Sequence, residues 1–272
     1  MPIKSIVVHL ADDPRHRPRL RLAAELASRF DAHLNVVYAK ERVDMPAGIV
    51  GRGASMAFIE VAEETEKEHA AETRKEVEEV CAGLRPWEWH EAQGEVDKLV
   101  ARWAHLSDLV IAEQAPQTHL EDKLIPHMAD HLVMVAGAPM LLVPYDWTGG
   151  TVGKRILVAW KNSREANGAV RSALPFLKQA EKVVVLAHAK DPIADPPGSD
   201  VVTYLGYHGI AAEICGTSAN GGKQILEAAA AQGSDLIIMG AYAKTMRLGE
   251  LLNFGTTSSV MRNTTIPVLM RH

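Results

Sequence analysis

The sequence predicts an α/β protein made of two similar halves, each with an open and mainly parallel sheet. Two observations support this prediction. Short runs of β-branched and aliphatic residues alternate with stretches of helical periodicity along all 272 residues, which is the pattern of consecutive βαβ units. In addition, motifs of the first half return in the same order in the second half, which indicates an internal repeat.

Three pairs of motifs carry the repeat. They are KSIVV at 4–8 with KRILV at 154–158, SDLVI at 107–111 with SDLII at 234–238, and APMLL at 138–142 with IPVLM at 266–270. The spacing between partners falls from 150 residues in the first pair to 127 in the second. The first half therefore holds about 22 extra residues in its middle, which we assign to a Glu-rich helix and the glycine-containing segment 41–55 before it, an expected surface loop.

The elements of the first half follow from this pattern. Strands are predicted near 4–10, 33–39, 88–92, 107–112 and 139–143, and helices near 16–30, 56–83, 95–105 and 123–136. The helix of 56–83 should be the longest in the chain. Its spacing predicts a buried side with Phe58, Val61, Val77 and Val80, and a solvated side with Glu64, Glu68 and Glu72.

The second half repeats the same order. Strands are predicted near 154–160, 182–188, 210–214, 234–239 and 267–270, and helices near 163–179, 197–208, 219–232 and 256–263. Ser163 is a candidate N-cap for the first of these helices. Between the halves, Pro144 to Gly153 interrupts both periodicities, as a linker does. We therefore expect domains at 1–146 and 151–272.

Composition narrows the functional classes. With 47% hydrophobic and 23% charged residues, the chain has the composition of a globular protein. No apolar run approaches the 18 or so residues of a membrane helix, and acidic residues follow the N-terminus too early for a signal peptide. We expect a cytoplasmic protein without membrane or nucleic-acid partners. Cys81 and Cys215 show no metal-ligand spacing and are read as ordinary thiols.

Charge and glycine placement direct attention to the second half. Residues 1–150 hold 16 Lys and Arg against 25 Asp and Glu, a net charge of −9, whereas 151–272 hold 13 against 9, a net charge of +4. In doubly wound sheets, ligands bind beyond the carboxyl ends of the strands. There the sequence places Met239 and Gly240, then Gly255 followed by four hydroxyl residues at a helix start, and Lys161 after an earlier strand. Backbone N–H groups, hydroxyls and an ammonium suit a phosphate. Ordinary helix capping is the alternative interpretation.

The motifs ILVAW at 156–160, SDLIIMGAY at 234–242 and TIPVL at 265–269 resemble those of a tandem universal stress protein over the whole chain. The resemblance implies two domains of the adenine nucleotide α-hydrolase-like, Rossmann-like fold, and AMP, ADP or ATP as ligand. The sequence indicates no metal cofactor. By family motif, the nucleotide or phosphate site comprises Lys161, Met239, Gly240, Ala243, Gly255, Thr256 and Thr257.

Two positions depart from the family pattern. Ala243 stands where the second loop glycine is expected, and Lys161 stands where an Asp approaches the nucleoside. Lys161 reverses the local charge and favours an anion, so an altered phosphate-bearing ligand is the alternative to an adenine nucleotide. In the first half, Glu113 takes the glycine position and would oppose a phosphate, although Asp12 lies near the family's Asp position. We expect a degenerate site and a structural role for that half.

The remaining expectations concern chemistry and partners. The sequence contains no nucleophile elbow, Walker loop or HExxH motif, so we do not expect an enzyme. The resemblance implies a stress-response or regulatory protein. His127 and His131 stand at i, i+4 spacing beside Asp130, but lack a third ligand for a metal. The resemblance implies that the last strands of the halves pair as an internal pseudo-dimer, with a homodimer of chains left open. The alternatives are a ligand-free interaction scaffold and a nucleotide-acting enzyme on the same fold.

Overall fold

The computed structural model describes residues 2–11, 15–40, 52–84, 86–115, 128–189, 194–218, 221–242 and 255–272, without the side chains of 52–58 and 217–218. In the first half these residues form β1 (Ser5–Leu10), α1 (His16–Phe30), β2 (His33–Lys40), α2 (Arg52–Val80), β3 (Trp87–Gln93), α3 (Val96–Ala104), β4 (Leu109–Glu113), α4 (Met128–Val135) and β5 (Met140–Val143). In the second half they form β6 (Arg155–Trp160), α5 (Arg164–Ser172), α6 (Leu174–Leu177), β7 (Lys182–His188), α7 (Ser199–Tyr207), β8 (Glu213–Ser218), α8 (Gly222–Ala231), β9 (Leu236–Gly240), α9 (Thr256–Asn263) and β10 (Val268–Arg271).

One ten-stranded sheet runs through both halves in the order β3-β2-β1-β4-β5-β10-β9-β6-β7-β8. Neighbouring strands are parallel except β5 and β10, which pair antiparallel with Leu142 opposite Val268 and Met140 opposite Met270. This pairing confirms the predicted contact between the last strands, and the α/β fold class is confirmed as well. Because β5 and β10 run in opposite directions, the carboxyl ends of the two sets of parallel strands lie at opposite edges of the sheet.

Helices cover both faces of the sheet, as side-chain alternation along the strands requires. In β1, for example, Ile6 and Val8 belong to one buried cluster and Val7 to the other. The first cluster lies under α1, the C-terminal part of α2, α5, α6 and α7. The second lies under α3, α4, α8 and α9. Each cluster contains residues of both halves, so the hydrophobic core is continuous across the β5–β10 junction.

The repeated Ser-Asp-Leu motif has a structural purpose. The carboxylate of Asp108 accepts hydrogen bonds from the backbone N–H groups of Lys4 and Ser5, at 2.8 and 3.0 Å. Asp235 does the same in the second half, accepting from Lys154 and Arg155, each at 3.1 Å to Oδ1. In each half this Asp joins the start of the fourth strand to the start of the first, which explains why the motif occurs twice.

The structure corrects several element boundaries. Strand β8 begins at Glu213 and not at 210, because the N–H of Ile210 donates to Leu205 O and closes the end of α7. The helix predicted over 163–179 is two helices, with Pro175 in the first turn of α6, where its missing N–H is tolerated. The predicted N-cap Ser163 is confirmed, since its Oγ accepts from the N–H of Ala166 at 3.2 Å.

Helix α2 is a 29-residue helix, as expected for the Glu-rich segment, but it starts at Arg52 inside the predicted loop. Val77 is buried and Val80 is partly buried, and Glu64, Glu68 and Glu72 are exposed. The prediction for Val61 is wrong, because this side chain is 67% exposed. The helix is about 43 Å long at 1.5 Å per residue, and among its described side chains, those from 59 onward, the buried hydrophobic residues begin at Ala70. The Phe58 side chain and residues 41–51 lie outside the described part.

Candidate functional site

The strand order places a switch point in each half, where neighbouring strands connect to helices on opposite faces and a crevice opens at their carboxyl ends. In the second half it lies between β6 and β9. Their register pairs Ala159 with Met239, so Trp160 lies beside Gly240 and Lys161 follows directly. Lys161 is exposed. The structure thus brings together Lys161, Met239 and Gly240, as the sequence predicts.

The atoms that closely approach Gly240 belong to helix α5. A Cβ on this residue would lie 2.5 Å from the backbone N of Ala166 and 2.7 Å from the carbonyl carbon of Glu165. The first turn of α5 therefore packs directly on the end of β9, at a distance that only glycine allows. Met239 is buried as well, with 4% exposure. Gly240 thus shapes the crevice by letting α5 approach the end of β9.

The hydroxyl residues at the start of α9 divide into two groups. Gly255, the N-cap residue, and Thr256 are exposed, and no side chain caps this helix. Thr257 is buried and its Oγ1 accepts from the N–H of Tyr242 at 3.1 Å. Ser258 is also buried, while Ser259 packs against Gly222 so closely that a Cβ there would lie 2.6 Å from its Oγ. The exposed part of the helix start, Gly255 and Thr256, therefore forms the part of the predicted donor set that can reach a ligand.

Tyr242 links this site to the first half of the chain, a connection that the sequence motifs do not predict. Its phenol donates to Asp130 Oδ1 at 2.6 Å and lies 3.4 Å from Ser258 Oγ. Tyr242 is 6% exposed and Asp130 is also 6% exposed. Burial raises the pKa of the phenol, and the neighbouring Asp130 carboxylate raises it further, so the phenol remains protonated and able to donate. The sequence signal for this contact is Asp130 itself, an acidic residue in a mostly apolar helix.

In the first half an ion pair occupies the corresponding crevice between β1 and β4. The guanidinium of Arg19 lies 3.0 Å from Glu113 Oε2, and its Nε donates to the carbonyl of His9 at 3.0 Å. Arg19 is 2% exposed and Glu113 18%. Arg19 of α1 thus contacts residues at the ends of both β1 and β4. The carboxylate expected to oppose a phosphate is neutralised by the protein's own arginine, in an ion pair that is largely buried.

Several predicted positions lie outside the described residues, namely Ala243, Asp12 and His127. His131 is described, and its Nδ1 lies 3.4 Å from Asp97 Oδ2 on α3. Asp130 points instead toward Tyr242. Within the described part of the chain, no group of three or more His, Cys, Asp or Glu side chains could hold a metal ion. In the same part, no helix has both the length and the apolar character needed to cross a membrane.

A cavity of about 440 Å³ lies elsewhere, at the amino ends of β2 and β3, where His33, Cys81, Trp87 and Glu88 line it. Four strands separate β2 from β9 in the sheet. This cavity is therefore not part of the candidate site.

Comparison with known proteins gives a likeness of fold. No protein-family model matches the chain, and no curated protein matches it. A universal stress protein from Archaeoglobus fulgidus DSM 4304 superposes with a TM-score of 0.75 at 15% identity, covering 97% of this chain and 94% of that one. A protein of unknown function from Pseudomonas aeruginosa PAO1 superposes with a TM-score of 0.63 at 17% identity, covering 98% of this chain and 92% of that one. The chain thus shares its fold, over nearly its full length, with a universal stress protein structure.

Proposed function

We propose that this chain is a tandem universal stress protein, a cytoplasmic regulatory module that binds a phosphate-bearing ligand in its second half and does not catalyse a reaction. The ligand class is an adenine nucleotide (AMP, ADP or ATP) or another small anion with a phosphate group. The two halves act as an internal pseudo-dimer. The whole-length likeness in fold to a universal stress protein structure supports the family assignment, together with the motifs of the second half.

The difference between the two crevices is the observation that carries the assignment of the ligand to the second half. Between β1 and β4, Glu113 and Arg19 form a largely buried ion pair. Between β6 and β9, glycine stands in place of Glu113, and the start of α9 presents the exposed Gly255 and Thr256. A helix start has a positive dipole end and backbone N–H groups without helical partners, which stabilise an anion.

Charge supports the same assignment. Residues 151–272 have a net charge of +4, and the ammonium of Lys161 is exposed at the carboxyl end of β6. An ammonium stabilises a bound phosphate, whereas an Asp at this position would repel it. Lys161 therefore favours a ligand held mainly through its phosphate.

Calorimetric titration of the full chain with ATP, AMP and inorganic phosphate tests this proposal, and Lys161→Asp supplies the decisive comparison. A charge-assisted contact contributes about 1.5–3 kcal/mol, so the substitution should weaken a phosphate-held ligand at least tenfold or so. If instead the nucleoside is held by an acidic group at this position, Lys161→Asp should strengthen ATP binding. The matched control is Lys178→Asp, because Lys178 is also exposed but follows α6 at the opposite edge of the sheet.

A ligand-free interaction scaffold is the second candidate. Its supporting observation is that other parts of the protein already contact Gly240, Thr257 and Ser259. This leaves Gly255 and Thr256 as the exposed donors at the start of α9. Mass spectrometry of a gently purified and then denatured sample separates the two candidates. A nucleotide released in stoichiometric amount supports ligand binding, and no bound ligand together with flat titrations supports the scaffold. Sustained release of phosphate from ATP would contradict both and indicate an enzyme.

A further inference from the structure

The buried contact between Asp130 and Tyr242 is a polar link between the two halves of the chain, beside the candidate site. Asp130 is in the first turn of α4, and Tyr242 lies two residues beyond the end of β9, 112 positions later in the chain. A hydrogen bond of 2.6 Å to a carboxylate that is 6% exposed is charge-assisted and shielded from water, so it is among the stronger contacts of its kind.

Tyr242 connects Asp130 to the start of α9. While its phenol donates to Asp130, its backbone N–H donates to Thr257 Oγ1 at 3.1 Å. Thr257 is the second residue of α9, directly after the exposed Thr256. The three residues thus form a continuous chain from α4 in the first half to the helix start that is proposed to hold the anion.

The backbone of Tyr242 shows that this position is held by its surroundings. Its φ is +50°, in the left-handed region that non-glycine residues seldom adopt because it is sterically strained. Such a conformation persists where surrounding contacts hold it in place. Here two hydrogen bonds supply that restraint, one from the phenol to Asp130 and one from the backbone N–H to Thr257.

A matching link starts from the corresponding strand end of the first half. Gln114 follows β4, and its Nε2 donates to the carbonyl of Met261 in α9 at 2.7 Å. Its Oε1 accepts from the N–H of Tyr145 at 2.9 Å. Thus, at the end of the fourth strand of each half, a buried side chain reaches across to the last helix of the other half. Of these two links, the one in the second half also reaches a helix start with exposed donors.

We propose that Asp130 and Tyr242 are positioning residues for the anion site of the second half, so that the first half sets the affinity of a site it does not line. This inference rests on the proposed function. The phenol holds the end of β9 and the first turn of α9 in the arrangement that presents Gly255 and Thr256. Without this hydrogen bond, the left-handed backbone at Tyr242 relaxes and the helix start loses its fixed position relative to Lys161.

Three full-chain variants test the proposal, with ATP and inorganic phosphate as the probes. Tyr242→Phe removes the donor and keeps the Asp130 charge. Asp130→Asn keeps an acceptor oxygen and removes the charge. Tyr207→Phe is the matched control, because Tyr207 is 81% exposed on α7. Calorimetry measures affinity, and hydrogen exchange measures the local opening of amides in 240–242 and 256–259, compared with those of β7.

If the link positions the site, Tyr242→Phe weakens binding about fivefold or more and accelerates exchange in 240–242 and 256–259 but not in β7. Asp130→Asn then gives a smaller loss of affinity than Tyr242→Phe, since the amide oxygen retains a hydrogen bond but one that is neutral and therefore weaker. Tyr207→Phe changes neither measurement. Wild-type affinity and exchange in Tyr242→Phe would overturn the proposal, and so would a uniform rise in exchange across the sheet, which indicates a general loss of stability.

The failure of the proposed function is recognisable separately. If the wild-type chain binds neither probe, the anion site does not exist and the positioning role falls with it, whatever the exchange data show. If the wild type binds and Tyr242→Phe binds equally well, the anion site stands and only the positioning role is refuted.

Discussion

Replacing Gly240 with alanine should destabilise the protein, because the added Cβ would lie 2.5 Å from the backbone N of Ala166 and 2.7 Å from the carbonyl carbon of Glu165. No side-chain rotation relieves a clash with backbone atoms. The first turn of α5 is also held in place by the Ser163 cap, so either α5 or the end of β9 must move. Overpacking of this kind costs about 1–3 kcal/mol, and we expect a loss in that range.

Urea denaturation followed by circular dichroism measures the effect as a lower midpoint at unchanged slope. Gly206→Ala is the matched control, because Gly206 is an exposed residue of α7 and a Cβ added there would meet no atom within 4 Å. In a helix this change should raise the free energy of unfolding by up to about 1 kcal/mol. A Gly240→Ala protein as stable as the wild type would refute the reasoning. If such a protein had also lost its ligand, Gly240 would serve ligand approach and not helix packing.

Three further predictions concern Arg19, His90 and the two cysteines. Arg19→Met should cost about 3–5 kcal/mol, because it leaves the Glu113 carboxylate partly buried without this cation, and Glu113→Gln in the same chain should restore part of the loss in denaturant titrations. The free energy of unfolding should fall as the pH drops below 6.5, because partial burial holds the pKa of His90 below this ordinary value. In that pH range the unfolded chain binds more protons than the folded chain. His90→Gln should flatten this part of the pH profile, and an unchanged slope would contradict the prediction. Burial raises the pKa of the Cys81 thiol to about 11, and the thiolate is the reactive form of cysteine. Iodoacetamide at about pH 8 should therefore label the partly exposed Cys215 before Cys81. Peptide mass spectrometry would measure the order of labelling.

The sequence alone determined the features that depend on local pattern. Alternating periodicities and the internal repeat predicted the α/β class, the Glu-rich helix and, to within a few residues, the strands that the structure describes, because side-chain period follows directly from backbone geometry. Ser163 was identified as a cap because capping acts within three residues. The pairing of 139–143 with 267–270 followed from the family resemblance and the need to cover sheet edges. Since Lys161 and Gly240 each stand at the carboxyl end of a parallel strand, the sequence also predicted that they lie at the same edge of the sheet.

Tertiary structure decided what the polar and small residues of the candidate site contact. Asp130 reaches Tyr242 across 112 positions of the chain, and Glu113 meets Arg19 on a different element. No local spacing encodes such contacts, because each depends on how separate helices pack on a shared sheet. The same holds for Gly240, whose sequence context suits a ligand and a close helix equally well. Val61 fits the apolar side of α2, yet it is exposed because burial depends on what the rest of the chain places against that side. Among the described side chains of α2, the buried hydrophobic residues begin at Ala70.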